Sequence, residues 1–444
     1  MKAGLSRLWR LCALHPALFL TAALVLEAGA GVVICMKMQF EVALRQFMLG
    51  AQQIVESRHI SSTFLPIGYS ALLGFAERMA QPYGVRREHL AIEVLHVLVM
   101  VLLVVVTRAA LLQYGSARFA TVAALLIGLD PQMMTFVKTV SDTDLTALTL
   151  ATLLLSLLWL RKEATIGHAL FAGLALGCAV LVRPNLALMV ALLLWPGRRL
   201  PGKAVVKNFA FAGATAIVTF LGVSGIVHGR PFFPNNGAYN LYAGYNAHTA
   251  ENLLLYRNAE NSIVPSLAEH GIHSELDWGR EPDIPGVDDV RDAKYIPFYR
   301  SESRSYILHH PGEDLWLILL KTYTLMRDSY VNYDNRNAVF HAATNVVKTF
   351  GLAVIPIWLG LWIWLKQWRV SSGDPLIACM AVLYTLPFVL INSDPRFRIP
   401  LEALLMIDIA RMLYMVYGGE RRSYGLGGKS ISASAMPGSS DASS

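Results

Sequence analysis

The sequence predicts an all-α polytopic membrane protein with amphipathic helices and a mixed cap on its exterior side, and three observations carry that prediction. The chain of 444 residues is 55% hydrophobic and 16% charged, with a mean hydropathy of +0.45, whereas about a quarter of the residues of a soluble domain are charged. Apolar runs of roughly 20 residues, long enough for a bilayer core, recur near 15–36, 90–113, 117–137, 143–160, 167–182, 185–197, 208–228, 346–365, 375–392 and 399–418, about ten in all. With the N-terminus in the cytoplasm, every short loop assigned inside is basic: Arg108 and Arg118, Arg161 and Lys162, Arg198, Arg199, Lys203 and Lys207, Lys366 and Arg369, Arg421 and Arg422.

Taken in order, the chain begins with Lys2, Arg7 and Arg10 before an apolar run, a pattern that superficially resembles a secretory signal. The run 17–36 is long for a signal core and ends in no small-x-small cleavage site, so an uncleaved first span is expected. Glu27 within it is costly in hydrocarbon and is expected to pair with a group on another span. The stretch 37–89 then faces water and departs from the charge rule, with Lys37, Arg45, Arg58, Arg78, Arg86 and Arg87 on the disfavoured side. Anionic head groups or a phosphate substrate would account for them. Val42, Leu44, Phe47, Met48, Ala51, Ile54 and Val55 have helical spacing, which predicts an interfacial helix over 41–56. Pro66 and Gly68 set a turn into a second amphipathic piece, 69–80.

Residues 168–196 read as two short spans broken at Arg183-Pro184. One continuous helix there would be about 43 Å long against a core of about 30 Å, and would put the cluster 198–207 outside. From 228 to 346 the composition turns to Asn, Tyr and acidic residues among prolines, which predicts a folded exterior cap, partly helical over 304–326. The expected organisation is therefore a core with its first exterior loop at 1–227, a cap at 228–345, C-terminal spans at 346–417, and a Gly/Ser-rich, disordered cytoplasmic tail at 418–444.

Several function classes drop out. The formal charge of +7 lies in short groups between apolar runs, which argues against nucleic acid. Cys12, Cys35, Cys178 and Cys379 all lie in or beside apolar runs, so no exterior disulfide is expected. No Walker loop, Rossmann glycine pattern or Ser-His-Asp order stands out. His309 and His310 are adjacent without a spaced third ligand, so no metal site is expected. No cofactor is implied, with a divalent cation left open.

The chemistry suggested by the residues is a reaction on a lipid-borne phosphate at the outer face. An acceptor hydroxyl needs a base, and a departing phosphate needs its growing charge met by cations. Glu41, just outside the first span, is the candidate base, with Glu56 a weaker one. Asp142 is the second carboxylate, although it can equally cap the helix beginning near Thr143. Arg183 lies at an outer span end, where a guanidinium can bind phosphate or snorkel. Arg396 and Arg398 flank Phe397 just before Pro400, and Arg58, His59 and Lys138 are further polar candidates.

Five segments in this order resemble the GT-C type integral-membrane glycosyltransferases that use polyprenyl-phosphate sugars, especially the bacterial group similar to aminoarabinose and protein-mannosyl transferases. They are PIGYSALL at 66–73, TVSDTDLTALTLATLLL at 139–155 after Pro131, AGLALGCAVLVRPNLAL at 172–188, NLYAGYNAHTAENLL at 240–254 and SDPRFRIPLEALLMI at 393–407. The sequence departs from the family in having no Asp before Asp130, so Glu41 is the nearest stand-in for the family's Asp, and Tyr245 replaces the first Asn of its Asn-Asn pair.

The resemblance implies an inverting transfer in the periplasm of a bacterial inner membrane, with both termini cytoplasmic. Glu41 and Asp142 would be catalytic, and Arg183, Arg396, Arg398, Arg58 and Lys138 would hold the donor phosphate. His59, Pro66, Tyr69, Asp144, Tyr239, Tyr242, Tyr245 and Asn246 would contact substrates. The implied partners are a polyprenyl-phosphate sugar, a lipid, glycan or protein acceptor, and the bilayer. Two alternatives stay open: a transporter or flippase of lipid-linked sugars, which would favour mid-membrane ionisable groups and inverted repeats, and a catalytically inactive scaffold of the same fold.

Overall fold

The computed structural model describes residues 16–37, 45–60, 64, 66–83, 88–194, 202–234, 236–255, 259–272, 274–275, 288–289, 293–326, 338–367 and 375–417. Glu41, residues 61–63 and the tail 418–444 lie outside them. Each apolar run read from the sequence coincides with a helix. These are α1 (Pro16–Lys37), α4 (Glu88–Leu111), α5 (Ala117–Gly128), α7 (Thr143–Lys162), α8 (Ile166–Val182), the 3-10 run Pro184–Leu194, α9 (Gly202–His228), α15 (Ala338–Gln367), α16 (Leu376–Leu390) and α17 (Arg398–Tyr417).

Among the described residues four helices are long and apolar enough to cross a membrane alone, and five if α5 and the segment Pro131–Lys138, bent by 48°, form one span. That bend has a local cause. Asp130 accepts from the Gln132 amide at 2.9 Å and Pro131 opens the short helix α6 (Pro131–Thr135), so the carboxylate ends one helix and caps the next. Charged residues make α17 less apolar, yet they pair inside the bundle. Arg398 bonds Glu402, and Asp408 accepts from Arg411 Nε at 2.6 Å and from the indoles of Trp358 and Trp362 at 2.8 and 3.0 Å.

One continuous apolar core joins α4, α7, α8, α16 and α17, with Leu103, Leu154, Ala172, Met380 and Ile399 all buried. Leu18, Val25, Val218 and Val382 lie exposed on the outer faces, as lipid-facing side chains must. Lipid supplies little hydrophobic drive between spans, so small residues decide how closely they pack. On α8, Gly173 and Gly177 meet the Ala212 and Ala216 carbonyls of α9, where an added Cβ would stand 2.3 and 2.9 Å from those oxygens.

Glu27 corrects one expectation. It is buried against Gly128, and among the described residues neither carboxylate oxygen has a hydrogen-bond partner. It fills the notch left by that missing side chain instead of reaching a group on another span.

Two exterior masses cover one end of the bundle. The first is a helical pair, α2 (Arg45–Ser57) and α3 (Ile67–Ala80), joined through Phe47, Ala51, Tyr69 and Leu73. Ile60 pins this loop to the end of α9, its amide donating to Val227 O at 2.9 Å and its carbonyl accepting from His228 Nδ1 at 2.7 Å. The second mass contains α10 (Asn236–Gly244), α11 (Thr249–Leu254), α12 (Ile263–Glu269), α13 (Ile296–His309) and α14 (Pro311–Met326), with a two-residue parallel pairing of Ser274–Glu275 and Asp288–Asp289. Its core is aromatic, Tyr242 stacking on Tyr299 at 5.0 Å. Tyr245 Oη donates to Leu390 O at 2.6 Å and Lys321 Nζ reaches the same oxygen at 3.4 Å, so both hold this mass on the end of α16.

Candidate active site

The sequence around Asp142 favours a helix start, since Ser-Asp-Thr-Asp precedes an apolar run. Asp142 does occupy the N-cap position of α7, but its side chain makes no cap bond. Both oxygens instead meet Arg183, with Nε to Oδ2 at 2.6 Å and Nη2 to Oδ1 at 2.8 Å. This is a bidentate, charge-assisted pair. Arg183 sits where α8 ends because Pro184 cannot continue it, and it points its fork across to the head of α7.

Gly68 brings the first exterior loop to the same place. A Cβ there would stand 2.8 Å from the Leu181 carbonyl, so the Pro66 turn docks on the last residues before Arg183. From the other side, Arg183 Nη1 donates to Tyr384 Oη at 3.3 Å, and its guanidinium lies 4.8 Å from the Phe397 ring centroid. Phe397 stacks on Phe388 at 4.3 Å, and the Arg396 guanidinium is 5.2 Å from Phe397. Asp394 orients Arg396, its carboxylate accepting the Arg396 amide at 2.9 Å and standing 3.4 Å from Nε.

Asp142, Arg183, Phe388, Arg396 and Phe397 among these groups line a cavity of about 250 Å³. Asp142, Arg183, Asn185, Phe388, Asn392, Arg396 and Phe397 come from the span ends; Phe47, Phe64 and Pro66 from the first loop; Asn236, Tyr239, Asn240 and Glu260 from the second exterior mass. An aromatic floor beside two guanidinium groups, facing amides and a phenol, can hold a phosphate on one side and a polyhydroxylated group on the other.

The structure thus brings together Asp142, Arg183, Arg396, Pro66 and Tyr239, from five distant parts of the sequence. Other predicted residues fall elsewhere. Arg398 is fully buried, bonded to Glu402 and, at 2.9 Å, to the Met326 carbonyl; it opens α17 and does not line the cavity. Lys138 pairs with Glu93 at 3.2 Å and donates to the Cys35 carbonyl, so its ammonium is taken up at the top of α1. Arg58 and His59 are exposed after α2, Arg58 in the left-handed region with φ 62° that ends the helix. Neither lines the cavity.

Tyr242 donates to or accepts from Ser266 at 2.6 Å inside the aromatic cluster, where burial pushes its phenol up to about 12. Asn246 bonds the Tyr242 carbonyl and Ser262, each at 2.7 Å. With Tyr245 on Leu390, these three hold the exterior mass together instead of lining the cavity. Tyr69 and Asp144 are buried behind the wall. His309 and His310 each bond a carbonyl one turn earlier, at 2.7 and 3.1 Å. Among the described residues no group of three or more His, Cys, Asp or Glu could hold a metal ion.

Sequence reasoning passed over Phe47, Asn185, Asn236, Glu260, Phe388 and Asn392 as wall residues. Asn185 and Asn392 adjoin the two arginine motifs, and that adjacency was the available signal. Glu260 carried none, being one acid among many in a polar segment.

No family model matches the sequence, and no curated protein matches it. Solved structures do. The crystal structure of the oligosaccharyltransferase of Archaeoglobus fulgidus tethered with an acceptor peptide has a TM-score of 0.51 and 14% identity, covering 91% of this chain and 50% of that one. The apo form of the same protein gives 0.51 and 13%, covering 90% and 50%. The chain therefore spans about half the length of the structures it matches. At such identity the likeness shows the fold, a GT-C-like membrane architecture.

Proposed function

We propose that the protein is a GT-C glycosyltransferase that moves a sugar from a polyprenyl-phosphate donor to a lipid, glycan or protein acceptor at the outer face of a bacterial inner membrane. The observation that carries this reading is the single cavity where Asp142, Arg183 and Arg396 meet an aromatic floor beneath amide and phenol groups. The basic loops that the sequence assigns to the cytoplasm support an exterior position for that cavity. Apolar carrier and polar sugar would each find matching surroundings there.

In the proposed step the acceptor oxygen attacks the anomeric carbon, its proton passes to a carboxylate, and the bond to the phosphate oxygen breaks with inversion. Glu41 is the proposed base, six residues before Phe47 on the cavity wall. Asp142 is poorly suited to take that proton, because both its oxygens already face Arg183; its part is to aim the guanidinium. Arg396 and Arg183 would then meet the charge growing on the leaving phosphate. The formal charges of the described wall, two arginines against Asp142 and Glu260, sum to zero. That balance supports a donor with one phosphate over a more highly charged diphosphate.

The test uses membranes supplied with a radiolabelled polyprenyl-phosphate sugar. Glu41→Gln is expected to abolish labelled product while carrier binding persists. Full transfer in that variant removes Glu41 as base, and labelled carrier crossing the bilayer without product favours a transporter.

A further inference from the structure

Behind the cavity wall lies a buried polar chain that the proposed reaction does not use. Tyr69 Oη is 2.8 Å from His96 Nε2, and His96 Nδ1 is 2.5 Å from Asp144 Oδ2. The second Asp144 oxygen accepts the Leu145 amide at 2.8 Å. All three side chains are essentially without solvent exposure. A phenol donating to Nε2, with Nδ1–H donating to the carboxylate, satisfies every member. Such a network fixes geometry where its apolar replacement would only fill space.

Its position gives it a purpose. Tyr69 belongs to α3, His96 to α4 and Asp144 to the first turn of α7, so the chain ties together three elements around the cavity. Through its ring, Tyr69 meets Phe47 edge-on at 4.8 Å, and Phe47 lines the cavity at the head of the helix that follows Glu41. Through its oxygen, Tyr69 meets His96, which holds Asp144, two residues beyond Asp142. His96 thus stands between the phenol that packs on Phe47 and the carboxylate at the head of α7.

We infer that His96 is a positioning residue: the Tyr69–His96–Asp144 chain locks the helix following Glu41 and the Asp142 loop in mutual register at the cavity. This rests on the transferase reading for its turnover readout alone. An error of about 1 Å in placement costs on the order of 100-fold in rate, so loosening the lock slows transfer without removing any group that touches donor or acceptor.

The experiment compares Tyr69→Phe, His96→Leu, His96→Gln and the double variant Tyr69→Phe/His96→Leu in nanodiscs. Transfer is followed from synthetic radiolabelled polyprenyl-phosphate sugars to an envelope lipid fraction, and hydrogen–deuterium exchange is read peptide by peptide. Tyr69→Phe and His96→Leu are expected to lower kcat by about 10- to 100-fold with the donor KM within about twofold. The double variant should be no worse than His96→Leu, since members of one network are not additive. His96→Gln, which can still accept from the phenol and donate to Asp144, should recover most of the rate. Exchange should rise at 141–143 and 47–57 and nowhere else.

Additive losses, failure of His96→Gln to exceed His96→Leu, or unchanged exchange in those two segments would overturn the lock. A wild-type protein that transfers no sugar defeats the transferase reading, while the exchange data still decide the lock.

Discussion

Two of the buried arginine–carboxylate pairs of the bundle, Arg183–Asp142 and Arg398–Glu402, differ in what lies beside them. Arg183 and Asp142 form part of the cavity wall, with an aromatic floor within cation–π reach. Arg398 and Glu402, one helical turn apart on α17, are enclosed by protein with no exposed surface. In the sequence both arginines read alike, each near a proline at an outer span end. The difference teaches that a basic residue at a span end marks a site only when its pairing leaves open space in front of it. Arg396 and Arg398 make the point within three residues: the 3-10 turn Pro395–Phe397 sends one to the cavity and the other into α17.

The comparison can be broken most forcefully at Arg398. Arg398→Leu leaves Glu402 buried beside Asp130 without its counter-charge, and removing one partner of a buried pair costs about 3–5 kcal/mol. Thermal unfolding in detergent should show the loss, and Arg398→Leu/Glu402→Leu should regain most of it. A variant as stable as wild type would make Arg398 free for the phosphate after all. Arg183→Lys keeps the charge but gives up the fork, so turnover should fall by about 100-fold with a smaller loss of stability than Arg398→Leu. Equal effects at the two sites would erase the distinction.

Arg396→Ala sharpens the same contrast. It should weaken polyprenyl-phosphate binding by about 10- to 100-fold, the loss of one charge-assisted contact, with a smaller fall in melting temperature than Arg398→Leu, because Asp394 keeps the backbone amide of residue 396. Tighter or unchanged binding would take the phosphate away from this wall.

The smallest expected effect concerns Lys321. Burial, only partly opposed by Asp314, pushes its amine down from 10.5 to about 7, beside Tyr245 and the end of α16. Between about 7 and 10.5 the folded protein binds fewer protons there than the unfolded chain, so this group's contribution makes stability rise with pH across that window. Lys321→Met should flatten that part of the profile; an unaltered slope would show that the amine keeps an ordinary proton affinity.

Much of the fold was legible because apolar length and loop charge are imposed by the bilayer itself. The break at Arg183-Pro184, the turn at Pro66 and the helix before it, Arg45–Ser57, followed from proline chemistry and periodicity. The exterior mass was less legible, since a short helix shares its tyrosines between two faces. Tyr239 and Asn240 turn to the cavity from α10, whereas Tyr242 turns inward onto Tyr299, and nothing in their spacing tells which side the partner helix will take. His96 was silent for another reason. A single histidine in an apolar run becomes meaningful only when Tyr69 and Asp144, drawn from 27 and 48 residues away, close around it.

The glycine notches of α8 carry a consequence for the lipid environment. Contact between α8 and α9 at Gly173 and Gly177 is dispersion and shape, so added salt leaves it intact, and the two helices behave as a stiff post with Arg183 at its tip. A post of fixed length responds to hydrocarbon thickness by tilting or by deforming its surroundings. Nanodiscs of longer or shorter acyl chains would therefore raise or sink the guanidinium relative to a carrier's phosphate, tuning turnover without altering one residue.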